Sequence, residues 1–161
     1  MLNMLEEIIG ELRGKVTGHR VSSVESFPEV ESSFQDMGKI LGVEVRDVGT
    51  FWHIFKEAGI FYGQGQGVLF TKDGETVTWT AQSMGGARGE GSEWRASILF
   101  DTSSKKLSRL NGITGIAEYE IDKDGNAKEK IWNDYRNKDG GAKMTYIIAT
   151  NKKFGTKKKT K

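Results

Sequence analysis

The sequence predicts an all-β fold: an antiparallel up-and-down barrel of about eight strands, with a short N-terminal amphipathic helix and a basic, disordered C-terminal tail. Three observations carry that expectation. Several segments alternate polar and apolar residues, most clearly Thr76–Gln82, where Val77, Trp79 and Ala81 share one face and Thr76, Thr78, Thr80 and Gln82 the other. A two-residue period marks a half-buried strand. Turn sequences separate these segments, notably Lys72-Asp73-Gly74-Glu75 and Asp122-Lys123-Asp124-Gly125, and Asp-Gly between alternating runs is a strong hairpin signal. Glycine is abundant (21) and proline occurs once, at Pro28, so tight turns and bulges rather than proline-rich linkers join the strands.

The elements follow in order. Leu2, Leu5, Ile8, Ile9 and Leu12 recur at helical spacing with Glu6, Glu7 and Glu11 off the stripe, which predicts a helix over residues 1–13, ended by Gly14. Residues 14–150 form the barrel domain. Its first strand runs from Lys15 to Phe27 and stops at Pro28, which cannot donate to a ladder. Strands over Glu29–Met37 and Val43–Phe55 come next, with Gly49 expected to mark a bulge that reverses the alternation.

Ala58-Gly59 turns the chain into Ile60–Tyr62 and on through Gly63-Gln64-Gly65-Gln66-Gly67 to Val68–Thr71. After Thr76–Gln82 and the loop Gly85–Gly91, Trp94–Phe100 alternates again. Ser103–Leu110 reads as a short helical turn, with Ser103 or Ser104 as cap and Leu107 and Leu110 facing inward. Strands Ile113–Ile121 and Ala127–Tyr135 follow, and Gly140-Gly141 permits a last hairpin into Lys143–Thr150. A meander of eight to ten short-looped strands removes its exposed edges best by closing on itself.

The turn pattern, from the Gly63–Gly67 run through Thr102-Ser103-Ser104-Lys105-Lys106-Leu107-Ser108-Arg109-Leu110-Asn111-Gly112, resembles small uncharacterised bacterial and archaeal proteins related to the allene-oxide-cyclase-type barrel. That barrel is itself similar in shape to lipocalins. The resemblance spans about residues 14–136 and implies an eight-stranded, often oligomeric, calycin-like barrel with a partly apolar interior. It transfers no catalytic residues: the cyclases are associated with a Glu and a Cys in the pocket, and this chain has no Cys.

Composition narrows the chemistry. At 161 residues one domain is expected. The lack of cysteine removes thiol nucleophiles, Cys-ligated zinc and iron–sulfur clusters and fits a cytoplasmic location. No run approaches the roughly 18 apolar residues that span a bilayer, and the N-terminus lacks the basic start of a signal peptide. The net charge of +2 hides an asymmetry: residues 151–161 hold six lysines and no acid, which leaves 18 basic against 22 acidic residues in the body. The tail therefore reads as a solvated end, or as a contact for nucleic acid or an acidic partner through Lys152, Lys153, Lys157, Lys158 and Lys159.

No catalytic or metal motif is complete, and no cofactor is expected. Gly63-x-Gly65-x-Gly67 precedes a strand rather than the helix a phosphate loop needs. Asp122-x-Asp124-Gly125 has the residues of a hairpin turn, not of a calcium loop. His19 and His53, the only histidines, are too few for a His-based metal site. Glu118 and Glu120 share a strand face, with Lys128 and Lys130 expected opposite across the hairpin. The strand aromatics either fill the barrel, meet a second subunit or line a pocket. In the pocket reading, Phe51, Tyr62, Trp79 and Trp94 give contact area and His53 or Arg95 a polar handle for a small apolar or aromatic ligand. Two other readings stand beside it: a barrel enzyme of isomerase or cyclase type using a carboxylate such as Glu118, and a homo-oligomeric interaction protein using the basic tail.

Overall fold

The computed structural model describes residues 5–134. Eight strands, β1 (Leu5–Ser23), β2 (Glu29–Ile40), β3 (Val43–Phe55), β4 (Ile60–Thr71), β5 (Thr76–Arg88), β6 (Gly91–Thr102), β7 (Thr114–Ile121) and β8 (Asn126–Asp134), follow one another round a closed barrel. Each pairs antiparallel with its sequence neighbours, and β1 closes the ring by pairing with β8 from Leu5–Asp134 to Lys15–Asn126. The turns are those the sequence encodes. At the β7–β8 hairpin Gly125 has φ +81°, and its N–H donates to the Asp122 carbonyl (3.1 Å). The Asp122 side chain accepts from the Asp124 and Asn126 N–H groups (2.8 and 2.9 Å). This is a turn held by its own aspartate.

The expected N-terminal helix is not present. Among the described residues the helical segments are two short 3₁₀ turns, Glu57–Gly59 and Ser108–Gly112, and residues 5–13 are part of β1. The apolar spacing that suggested a helix comes from a bulge. Against β8 the register jumps from Ile8–Trp132 to Gly10–Ile131, with Ile9 the extra residue. Ile9 and Leu12 are buried while Ile8 is 51% exposed, so inward residues fall three apart along a strand. Barrel closure demands this strand, and tertiary pairing outweighs a local helical pattern. The final hairpin over Lys143–Thr150 and the lysine tail lie outside the described residues.

Gly49 also behaves differently from expectation. The β2–β3 register runs unbroken from Glu29–Ile54 to Ile40–Val43, so no bulge reverses the alternation there. Instead a Cβ at Gly49 would collide with the rings of Phe34 and Trp79. Gly67 on β4 plays the same part, a Cβ there falling 2.6 Å from the Trp79 indole. Inward glycines make the space that inward tryptophans fill, large against small, as interior packing requires.

The two ends of the barrel differ. One is plugged by the β6–β7 connection, where Leu107 and Leu110 are fully buried and pack with Ile9, Ile40, Val45, Leu69, Val77, Ile98 and Ile131. Ser104 Oγ accepts from the Leu107 N–H (3.3 Å) and donates to Glu75 (3.0 Å), which ties the plug to the β4–β5 turn. At the other end Phe55 and Phe61 are half-buried and Phe27 and Ile60 exposed. This end is the mouth.

Truncating Leu110 to Ala should remove the centre of the plug and cost about 2–5 kcal/mol. Urea unfolding checks it, with a lowered midpoint and an unchanged slope expected.

Candidate functional site

Four strands bring acidic groups into the barrel. Asp36 on β2 and Asp47 on β3 are direct cross-strand partners, and Tyr119 on β7 and Glu129 on β8 form a second direct pair. Alternation forces them inward: Asp36 shares its face with Phe34 and Ile40, Asp47 with Val45, and Glu129 with Ala127 and Ile131, all buried. Asp36 and Asp47 are 0% and 3% exposed. β1 leaves room with Gly14, where a Cβ would strike the Asp36 carboxyl and the Gln35 carbonyl.

Only one of these acids has a side-chain partner that is plain in the structure. The Trp79 indole N–H donates to Asp47 Oδ1 (2.9 Å). Both Asp36 oxygens and the Tyr119 hydroxyl are buried without a hydrogen-bond partner, an arrangement that costs free energy unless something compensates. No cation does so, since every described lysine and arginine is exposed.

Protonation is the available compensation. Burial raises Asp36 to about 6. Burial also raises Asp47 to about 7, the Trp79 N–H opposing the rise and the Asp36 charge adding to it. Glu129 is pushed to about 8 by burial and then by the charges of Asp47 and Asp36. The Tyr119 hydroxyl, desolvated and faced by the same carboxyls, is held well above the ordinary phenol range. Above them, burial and then His19 lower His53, which therefore stays neutral at pH 7. Its Nδ1 is buried and unpartnered.

An aromatic column rises from this layer to the mouth. Phe34 lies against Phe51, Trp79 and Tyr119 with centroids 5.9, 6.1 and 5.9 Å away. Phe51 continues to Trp94 (6.2 Å), and His53 meets Trp94 (5.4 Å) and Phe55 (4.9 Å). Between column and acids lies a cavity of about 70 Å³, bounded by Phe51, Trp79, Trp94, Tyr119, Asp47 and Glu129, with Gly65 and Ala81 in its floor and wall. That is room for a guest of a few heavy atoms, well below the 300–1,000 Å³ of drug-sized sites.

Of the residues that sequence reasoning chose, Phe51, His53 and Trp94 meet inside the barrel, and Trp79 lines the same cavity as Phe51 and Trp94. Tyr62 and Arg95 do not. Tyr62 lies on the outer face, where its hydroxyl accepts from Gln64 (2.7 Å) and Lys56 sits 5.3 Å over its ring. Arg95 is exposed and paired with Glu118. Glu118 and Glu120 both stand on the outer wall, Glu120 bound to Lys128 (2.8 Å) and opposite it in the register the sequence implies, so Glu118 is not a pocket carboxylate. Asp36, Tyr119 and Glu129 were not singled out from sequence. Their signal was parity, an acid or phenol in phase with buried apolar neighbours. Among the described residues no three His, Asp or Glu side chains converge as metal ligands, and no helix is long and apolar enough to cross a membrane.

No family model matches the chain, and no curated protein matches it. Solved structures do. A protein of unknown function from Clostridium acetobutylicum superposes with a TM-score of 0.68 at 11% identity, over 79% of this chain and 96% of its own. A β-barrel-like protein from Acinetobacter baumannii gives 0.68 at 14%, over 79% and 93%. An enzyme from Penicillium herquei gives 0.56 at 14%, over 78% and 92%. These likenesses establish the barrel fold and leave membership of the allene-oxide-cyclase-type family without support.

The three carboxyls bind protons more tightly in the folded barrel than in the unfolded chain, where they titrate near 4. The stability they contribute is complete below that pH and is lost as pH rises through about 6, 7 and 8 for Asp36, Asp47 and Glu129. Glu129→Gln should therefore melt with the wild type at pH 4.5 and above it at pH 9, by on the order of 5 °C. Thermal melts by circular dichroism check this, and a variant less stable at pH 9 would contradict the burial of Glu129.

Proposed function

We propose that the barrel binds a small organic molecule inside, between the aromatic column and the buried carboxyls. One observation supports this best: the same cavity is lined by Phe51, Trp79 and Trp94 and by Asp47, Glu129 and Tyr119. An apolar lining with a few convergent polar groups and displaced pKa values is the usual make-up of a ligand site. The polar handle is this acidic layer rather than His53 or Arg95. The mouth gives access, while the plug of Leu107 and Leu110 closes the far end.

A second reading is favoured by the protonation behaviour. Carboxyls raised to about 7 and about 8 in one cavity, Asp47 and Glu129, suit proton transfer near neutral pH. An isomerase or cyclase on this barrel would use them in place of Glu118. Association of the tail, through Lys152, Lys153, Lys157, Lys158 and Lys159, with nucleic acid or an acidic partner is a separate proposal. Loss of salt-sensitive association on deleting residues 151–161 would support it.

Ala81 lines the cavity, so Ala81→Leu should fill it. Overpacking would cost about 1–3 kcal/mol, little enough to keep the fold. Tryptophan fluorescence of the wild type, titrated with a fragment set, should show saturable changes from Trp79 and Trp94. The variant should show none while its circular dichroism is retained. Unchanged titrations in the variant would place binding elsewhere.

A further inference from the structure

The inside of the barrel is chemically one-sided. Asp36 from β2, Asp47 from β3, Tyr119 from β7 and Glu129 from β8 act on one another electrostatically across the interior. The strands between them add no opposing charge. β1 presents Leu12 and Gly14, β4 presents Gly65, Gly67 and Leu69, β5 presents Trp79 and Ala81, and β6 presents Ala96 and Ile98. The titratable groups nearest the mouth are His53, kept neutral, and His19, which is exposed and hydrogen-bonded to Ser32 (2.8 Å).

Two features of this layer point to what it receives. Asp36, fully buried, has both oxygens unpartnered, and the Tyr119 hydroxyl beside it is unpartnered too. The carboxyls also lie among ring systems: Trp79 and Tyr119 stand 6.1 and 5.9 Å from Phe34. A like-charged pair set directly across two strands is destabilising, and it is relieved by a proton or by a cation.

We infer that the guest is a small organic ammonium ion, whose N–H groups donate to Asp47 and Glu129 and whose apolar body lies against Trp79 and Phe51. This rests on the interior-binding reading. A compact metal ion fits poorly, because no three acidic or imidazole side chains converge on one point among the described residues. A diffuse organic cation needs no such convergence. It takes one or two charge-assisted hydrogen bonds and is attracted to aromatic faces. The cavity of about 70 Å³ limits it to a few heavy atoms unless the column moves. Once ionised, Asp47 and Glu129 would repel an anionic guest.

Calorimetry with butylamine, 1-butanol and butyrate tests the inference at pH 8 on the full chain. Butylamine should bind at least about tenfold more tightly than 1-butanol, and butyrate should not bind. Because the ammonium ion displaces protons held by Asp47 and Glu129, its affinity should rise from pH 6 to pH 8.5. The conservative double variant Asp47→Asn/Glu129→Gln should lose the preference for amine while keeping the affinity for 1-butanol. If 1-butanol binds as well as butylamine, the cation assignment falls and interior binding stands. If amine binding persists in Ala81→Leu, or none of the three binds the wild type, interior binding falls with it. A preference retained by the double variant would also overturn the assignment.

Discussion

The pairing of β1 with both β2 and β8 is the constraint on which everything else rests. Closure gives the eight strands one shared interior, so each alternation along the chain becomes a decision between water and a common core. A residue in phase with the interior has no second choice. That is how Asp36 and Asp47 come to be buried and Glu129 to be half-buried and desolvated, although each costs stability there. The same constraint overrides the helical pattern at the N-terminus and turns Leu5–Ser23 into the closing strand.

Along its axis the barrel is graded. The Ser108–Gly112 turn and its leucines seal one end, a polar layer of carboxyls and one phenol lies above, and a stack of rings leads to the mouth. Glycines at 49, 65 and 67 give the rings space without thickening the wall. A barrel built for stability alone would place leucine or valine where the acids stand, since replacing buried charge by apolar side chains is often stabilising. The outer wall carries its charges differently, as exposed pairs such as Arg20–Glu31 and Lys128–Glu120, each worth little.

Much of this was legible in the sequence, and the failures are physical. Asp-Gly turns encoded the hairpins, and the facing of Glu118 by Lys130 and of Glu120 by Lys128 followed from turn position. A bulge hid β1, because inserting one residue at Ile9 changes a period of two into a spacing of three. Arg95 and Tyr62 were grouped with the pocket by chemistry although their phase, opposite to Trp94 and Phe61, sends them outward. Glu129 was masked by Lys128 and Lys130 on either side, which make the segment read as a solvated face. The Phe51, Trp79 and Trp94 contacts depend on glycines of other strands and are set only when the barrel closes.

Carbon-13 NMR titration of the side-chain carboxyl carbons tests the central claim most directly, since each acid reports its own protonation. The account predicts midpoints near 6, 7 and 8 for Asp36, Asp47 and Glu129, while Glu120 on the outer wall titrates below the usual carboxylate range. Three interior acids titrating with exposed ones near 4 would mean that they are solvated, and the closed, acid-lined interior described above would be contradicted.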